Sequence, residues 1–309
     1  MAYEDFFSET FYDDENNNDD VLEEEEDHVS SIFKYVCNNC NANFCSSTNQ
    51  NVKSCIVCCK DDIVFSSFFD GGESFVLPFK KTKNDFIRVY RKKVFWNPLV
   101  PLVFKQKKII QAVNEVNLAS FLSDVNQKGL IHFVGGEKEK GQGTKKYDVL
   151  QSVFFDYKSV LLNITSKIED KVFQTICDYD FGDLKSNDFN NGVDSFYLLG
   201  DLATDTISEK AREKIAKQTI SIARQNVPHP LKRFMDDQSM ISFENTKMVF
   251  LPVFLLTVKY RNKVYQCIMN GQNGRFYFDV PIGIVEMISC AFLIFGIFFL
   301  ISYLVARFL

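Results

Sequence analysis

The sequence is poor in the residues that catalysis near neutral pH most often uses. Its 309 residues include three histidines, His28, His132 and His229, and no two are close together in the chain. No HExxH pair is present for a zinc hydrolase, and no Gly-x-Ser-x-Gly elbow presents a nucleophile. No enzymatic activity and no small-molecule substrate are therefore expected. The first 27 residues contain no lysine or arginine and no apolar run, so none of the features of a secretory signal is found there. Most of the chain is accordingly expected on the cytoplasmic side of any membrane it meets.

Apolar length is abundant at the other end. Ile282 to Ala306 is 25 residues long and carries one charge, Glu286. A hydrocarbon core about 30 Å thick is crossed by roughly 20 helical residues. Leu, Ile, Phe and Val fill every side of this stretch, where a soluble helix keeps a polar face. Residues 281–309 are thus predicted to form a single C-terminal transmembrane helix. Only Arg307, Phe308 and Leu309 follow it, a tail-anchored, single-pass arrangement in the cell membrane. Asn163-Ile164-Thr165 would accept a glycan only if that side were lumenal.

The formal charge of −5 hides a strong asymmetry. Residues 1–27 hold thirteen Asp or Glu, which leaves 35 basic against 27 acidic residues in the remainder, a net of about +8. Residues 1–28 read as a disordered acidic tail, because little apolar surface is available to offset ordering entropy. Tyr3, Phe6, Phe7, Phe11 and Tyr12 interleave with its acids. Such a tail serves as a docking peptide, as a solubilising leader, or as a screen for the basic body.

The sharpest chemical signal lies in residues 29–62. Cys37-Asn38-Asn39-Cys40 is followed, after fourteen intervening residues, by Cys55-Ile56-Val57-Cys58. Two CxxC turns offer Cys37, Cys40, Cys55 and Cys58 to one tetrahedral ion, the ligand set of a structural Zn2+ ribbon. Four thiolates close the coordination sphere, so no position is left for a reactive water. Cys45 and Cys59 are further thiols that could substitute or simply pack. Disulfides in an oxidising compartment, or unrelated buried cysteines, are the other readings of the pattern. Zinc thiolates require a reducing compartment, in keeping with a cytoplasmic body.

Residues 63–280 read as a β-rich cytosolic body with one long amphipathic helix, giving an α+β fold overall. Ser74–Phe79 is predicted as a short strand and Asn84–Lys93 as a helix. Phe95 to Pro101, broken by two prolines, is a turn or a membrane-facing lip. Ile109–Asp124, Leu130–Val134 and Tyr147–Leu162 are expected as strands, with Gly135 to Thr144 as a charged hairpin loop. That loop has P-loop glycine spacing, but Gln142 stands where the lysine should be. Ser166–Asp178 suits a short amphipathic helix. Thr206–Asn226 places Ile207, Ala211, Ile215, Thr219, Ile222 and Ala223 on one face, with Asp205 as the expected cap and Pro228 as the stop. Val253–Tyr260, a turn at Arg261-Asn262-Lys263 and a return over Val264–Met269 read as a meander. Asn270-Gly271 and Asn273-Gly274 then supply tight turns, and the sheet runs almost directly into the anchor. Asp178, Asp180 and Asp183 fit no calcium loop and read as a polar connection.

These motifs together resemble a bacterial family. Leu251-Pro252-Val253-Phe254-Leu255-Leu256-Thr257-Val258-Lys259-Tyr260, then Lys263-Val264-Tyr265 and Met269-Asn270-Gly271-Gln272-Asn273-Gly274-Arg275, are similar to its signature. Val76-Leu77-Pro78-Phe79-Lys80 is similar to the strand that follows its ribbon. The family is that of TFIIB-type zinc-ribbon-containing membrane proteins, sometimes mislabelled as primosomal helicases. The resemblance implies an N-terminal ribbon, a β-rich middle and a C-terminal hydrophobic helix, and it implies no reaction. The first cysteine turn here lacks the family's Pro and Gly, the second lacks the Gly after its last Cys, and Asn273 replaces a Thr.

The expected function is a membrane-anchored, non-enzymatic interaction scaffold whose ribbon and body bind a protein partner at the cytosolic membrane face. The alternative is a membrane-tethered nucleic-acid-binding ribbon. Against that alternative, residues 34–60 contain only Lys34, Lys53 and Lys60 as basic groups.

Overall fold

A computed structural model describes residues 32–46, 52–69, 72–139, 143–187, 195–229 and 231–308. The acidic tail expected over residues 1–28 lies outside them. In chain order the first elements are β1 (Ile32–Cys37), β2 (Asn43–Ser46), β3 (Ile63–Phe69), β4 (Ser74–Val76), α1 (Lys83–Phe95), α2 (Lys107–Gln111), β5 (Asn114–Glu139) and β6 (Gly143–Asn163). They are followed by α3 (Asp170–Ile176), β7 (Lys185–Ser186), β8 (Phe196–Leu198), α4 (Thr204–Asn226) and β9 (Leu231–Asp237). The last are β10 (Met240–Tyr260), β11 (Lys263–Asn270), β12 (Phe276–Tyr277) and α5 (Ile284–Phe308). The protein is a mixture of α and β built on a large sheet. Its contacts divide it into two compact units, and β5 and β10 contribute residues to both.

The larger unit comprises residues 32–120, 165–200 and 248–309. At its centre eight consecutive residues of β10, Val249 to Leu256, are buried. Such a run marks a strand covered on both faces, where alternation of polar and apolar residues has no role. Pro252 falls within it, at the point where β10 exchanges partners: Met248–Phe250 pair in parallel with β4, and Val253–Tyr260 pair antiparallel with β11. Proline has no N–H to donate, so a changeover is where a strand can hold one. β10 turns into β11 through Arg261 and Asn262 alone, both at positive φ (48° and 62°), as a two-residue hairpin of this twist requires.

α1 covers this hairpin. Thr82 caps it: its hydroxyl accepts from Asp85 N, while the Asp85 carboxylate accepts from Thr82 N at 3.0 Å. Phe86, Tyr90 and Val94, at helical spacing, are buried against Phe254, Leu256, Val258, Cys267 and Met269. Each such side chain contributes roughly 1.5–3 kcal/mol on leaving water. The Tyr90 hydroxyl donates to Phe104 O at 3.1 Å, so the one polar atom it buries is satisfied. Ile109 does not begin a strand. Residues 107–111 are helical, which turns Ile110 into the same core as Val113, and packing overrides the β preference of paired isoleucines.

The Asn270 to Arg275 segment does more than turn the chain. The buried Asn270 side chain donates to Ile176 O (2.7 Å) and Asp178 O (3.0 Å) and accepts from Gln272 N and Asn273 N. Gln272 bonds both Asp180 N and Asp180 O, and Gly271 O accepts from Lys80 N and Lys81 N. Gly274 has the positive φ (82°) of a tight turn, but Gly271 is needed for space. A Cβ there would lie 2.9 Å from Pro252 O and 2.7 Å from the Phe79 ring.

The smaller unit holds residues 121–164 and 201–247 among those described. Here β5 pairs antiparallel with β9 from Ile131 to Gly136. The expected breaks in β5 and the expected loop at 135–144 are therefore absent up to Glu139, and strand resumes at Gly143. Gly135 and Gly136, which read as loop, are carried by cross-strand pairing with Lys232 and Leu231. α4 buries Ile207, Ala211, Ile215, Thr219 and Ala223 as the spacing predicts. Ile131, Phe133, Val153, Ala223 and Val227 form the core. Asp205 is not the cap. The helix begins two residues earlier than expected, at Thr204 with Ala203 as its cap, and Asp205 sits in its first turn, where its charge meets the helix dipole.

α5 belongs to the larger unit. It is 25 residues long and strongly apolar, and its apolar stretch is not buried inside the protein. By length and composition it could cross a membrane. Replacing Asn270 by Ala would leave several buried backbone groups without partners. It is expected to lower unfolding stability by about 3 kcal/mol. Asn273→Ala, at an exposed position, should cost about 1 kcal/mol or less. Denaturant titration of both variants checks the ranking.

Candidate metal centre

β2, β1 and β3 form a three-stranded antiparallel sheet, and β2 continues it to β8. The first CxxC lies in the turn from β1 to β2, and the second lies just before β3. The two turns are built alike. Asn41 N donates to Cys37 O at 2.8 Å and Cys59 N to Cys55 O at 2.9 Å. Cys37 N then donates to Ala42 O, and Cys55 N to Lys60 O. The residue after each second cysteine is left-handed: Asn41 has φ 53° and Cys59 has φ 56°. Glycine normally fills such a position; asparagine tolerates it better than other residues, and cysteine does so under strain.

The ligand atoms of Cys37, Cys40, Cys55 and Cys58 all lie within 4.8 Å of one another. Cys37 Sγ is 3.6 Å from Cys58 Sγ, and Cys40 Sγ is 3.6 Å from Cys55 Sγ. A tetrahedral ion with thiolate bonds of roughly 2.3 Å would place sulfurs roughly 3.8 Å apart. The cluster is therefore of the right size for a metal ion held by four sulfurs. All nine cysteines are free thiols, so disulfide pairing does not explain the arrangement.

The electrostatics agree with this. Burial pushes the Cys40 thiol up to about 11 and raises Cys55 further. At Cys58 burial is outweighed by the Lys60 N–H and by the Cys40 and Cys37 thiols, which together hold it below the ordinary range. Cys58 favours the anion while Cys40 and Cys55 hold protons, which a divalent cation would displace.

Groups other than the four thiols hold the turns in place. Asn38 donates through its side chain to Asp62 Oδ1 (2.9 Å) and through its backbone to Asp62 O (3.0 Å). Lys60 Nζ bonds Asn39 Oδ1. The second turn rests on the β10–β11 hairpin: Thr257 Oγ1 donates to Ile56 O at 2.8 Å, and Gln266 Nε2 to Val57 O at 3.4 Å. Thr257 and Gln266 carry no signal in the sequence, since their partners lie about two hundred residues away.

The two spare thiols are accounted for. Cys59 Sγ donates to Thr257 O at 3.4 Å, and Cys45 is buried in β2 with its thiol pushed up to about 12 by that burial. The aspartate cluster is likewise used elsewhere. Asp178 pairs with Arg275 at 2.8 Å, Asp183 with Lys80 at 2.5 Å, and Asp180 accepts from Gly182 N. His132 bonds Asp148 at 3.1 Å, and His229 stacks on Tyr147 at 4.4 Å. Both of these histidines lie in the smaller unit, and the four thiols in the larger.

The chain matches no protein-family model, no curated protein and no solved structure. Function is therefore argued from the site. Purified protein should contain about one metal ion per chain, measured by elemental analysis. Cys37→Ser or Cys58→Ser should abolish retention, whereas Cys45→Ala should leave it unchanged. Cys59→Gly should also retain the ion and release it more slowly to a chelator, because it relieves a left-handed strain of about 1 kcal/mol.

Proposed function

We propose that this chain is a membrane-anchored interaction scaffold with no enzymatic role. In this reading α5 is its single span, and the remainder lies on the cytoplasmic side. The four cysteines hold a structural zinc ion, so that residues 29–62 act as a zinc ribbon of the TFIIB type found in the bacterial family that the sequence resembles. The partner is a protein.

One observation carries the choice of partner. Among the described residues β3 ends the strand order of the sheet, and on it Phe65 and Phe68 remain 48% and 60% exposed. They gather with Phe33 on the paired strand, with ring centroids 5.5 to 6.2 Å apart. An edge strand with large exposed aromatics suits an extended protein segment, which adds main-chain hydrogen bonds along the edge and fills the gaps between rings. The metal would set this edge, because the second cysteine turn leads directly into β3. A nucleic-acid partner would call for a dense basic lining. Lys34, Lys53 and Lys60 are the only basic groups of residues 34–60, and Asp61 and Asp62 follow them. The acidic aromatic leader would offer a second docking peptide.

A photo-reactive amino acid at position 68 of the full chain, expressed in cells, tests the proposal. Cross-links to protein are expected, together with their loss in Phe65→Lys and in the Cys37→Ser/Cys40→Ser double variant. Cross-links mainly to nucleic acid would favour the tethered nucleic-acid reading. Protein cross-links that persist without the metal would sever the ribbon from recognition.

A further inference from the structure

A second surface of the larger unit carries an inference that rests on α5 spanning the bilayer. Phe95 to Leu102 forms a short loop between α1 and the 3-10 turn Leu102–Lys105. Its large apolar side chains face outward: Trp96 is 84% exposed, Leu102 69% and Phe95 57%. The loop is not slack. Asn97 Oδ1 accepts from Leu99 N at 3.0 Å, and the buried Val100 and Phe104 belong to the core under α1. Exposure of the only tryptophan in the chain is therefore built in.

The loop is bonded to the base of α5. Gly283 N donates to Leu99 O at 2.8 Å, and Leu102 N donates to Glu286 Oε1 at 3.2 Å. Pro101 Cγ would be 3.2 Å from a Cβ at position 283. Glu286, the one charge of the apolar stretch, thus has a fixed partner in the first turn of the helix, where a carboxylate also meets the positive end of the dipole. At about 1.5 Å of rise per residue, Glu286 lies only a few ångströms beyond the start of α5. A loop bonded at Gly283 and Glu286 must then share the depth at which α5 enters the bilayer.

Charge agrees with that placement. Between Lys83 and Val113 eight side chains are Lys or Arg and one, Asp85, is acidic. Arg91, Lys92 and Lys93 at the end of α1, with Lys107 and Lys108 after the loop, are exposed. Lys93 Nζ lies 5.7 Å from the ring centre of Phe278, on the segment that leads into α5. An aromatic and aliphatic lip flanked by lysines and arginines is the composition that partitions into the headgroup layer of an anionic leaflet.

We propose that Phe95–Leu102 and the basic groups beside it form a second membrane attachment, in which Trp96 and Leu102 insert among anionic lipid headgroups around the foot of α5. This fixes the orientation of the larger unit on the membrane, which a single helix cannot do.

Trp96 is its own reporter. The full-length protein would be reconstituted into phosphatidylcholine vesicles with and without phosphatidylglycerol, using chains brominated at shallow or deep positions. Blue-shifted emission is expected, quenched more by shallow than by deep bromine and more strongly when phosphatidylglycerol is present. Arg91→Glu/Lys92→Glu/Lys93→Glu, all at exposed positions, should reduce that quenching to its level in phosphatidylcholine alone. Red-shifted emission indifferent to bromine, in protein that resists carbonate extraction, would overturn the attachment while leaving the span intact. Extraction by carbonate would overturn the span and the attachment together. Quenching in the triple variant equal to that of the parent would overturn the role of the basic groups.

Discussion

The amide of Asn270 is the interaction on which the larger unit depends. It sits at the end of β11, fully buried, and all its hydrogen-bonding capacity is directed at backbone. Two of those bonds hold the end of α3 and the start of the aspartate segment; the other two shape the turn that returns the chain to β12. Gly271 and Gln272, next in sequence, fasten residues 80–81 and 180. Segments nearly two hundred residues apart are thus joined by one short polar turn. A buried amide is stable only when fully paired, so the neighbouring backbone has few alternative paths.

The β10–β11 hairpin carries load on several sides. α1 covers it with aromatic side chains, and the second cysteine turn rests on Thr257 and Gln266. The cluster of thiols is accordingly not an isolated appendage, and any ion held there would act on the same strands that lead to α5. The first cysteine turn depends instead on Asn38 and Asn39 reaching residues 60 and 62.

Much of this was legible from local chemistry. The CxxC pairs, the helix expected over Asn84–Lys93, the stripe of α4 and the apolar length of α5 are all short-range patterns, and each appears close to where the spacing puts it. What was not legible depended on distant partners. Lys107–Gln111 is rich in β-favouring isoleucine, yet Ile110 is drawn into a core made by residues 254–269. Gly135 and Gly136 read as loop because nothing local reveals β9 as their partner. Asn270 read as a turn former, which it is, but its larger role needed the carbonyls of residues 176 and 178. Asp205 falls two residues inside the helix that it is expected to cap, an offset within the range over which helix ends are set by context.

Only six residues separate β12 from α5, and one of them, Gly283, is itself bonded to Leu99. Even fully extended, six residues reach about 20 Å, and this segment is not free to extend. For a protein held in a bilayer by α5, the aromatic edge of β3 would sweep a thin layer rather than a volume. Encounters with other residents of that layer then become effectively intramolecular, as in a short-linked pair of binding modules. Even weak contacts along β3 would suffice to select neighbours already in the membrane, while a freely diffusing competitor would have no such advantage.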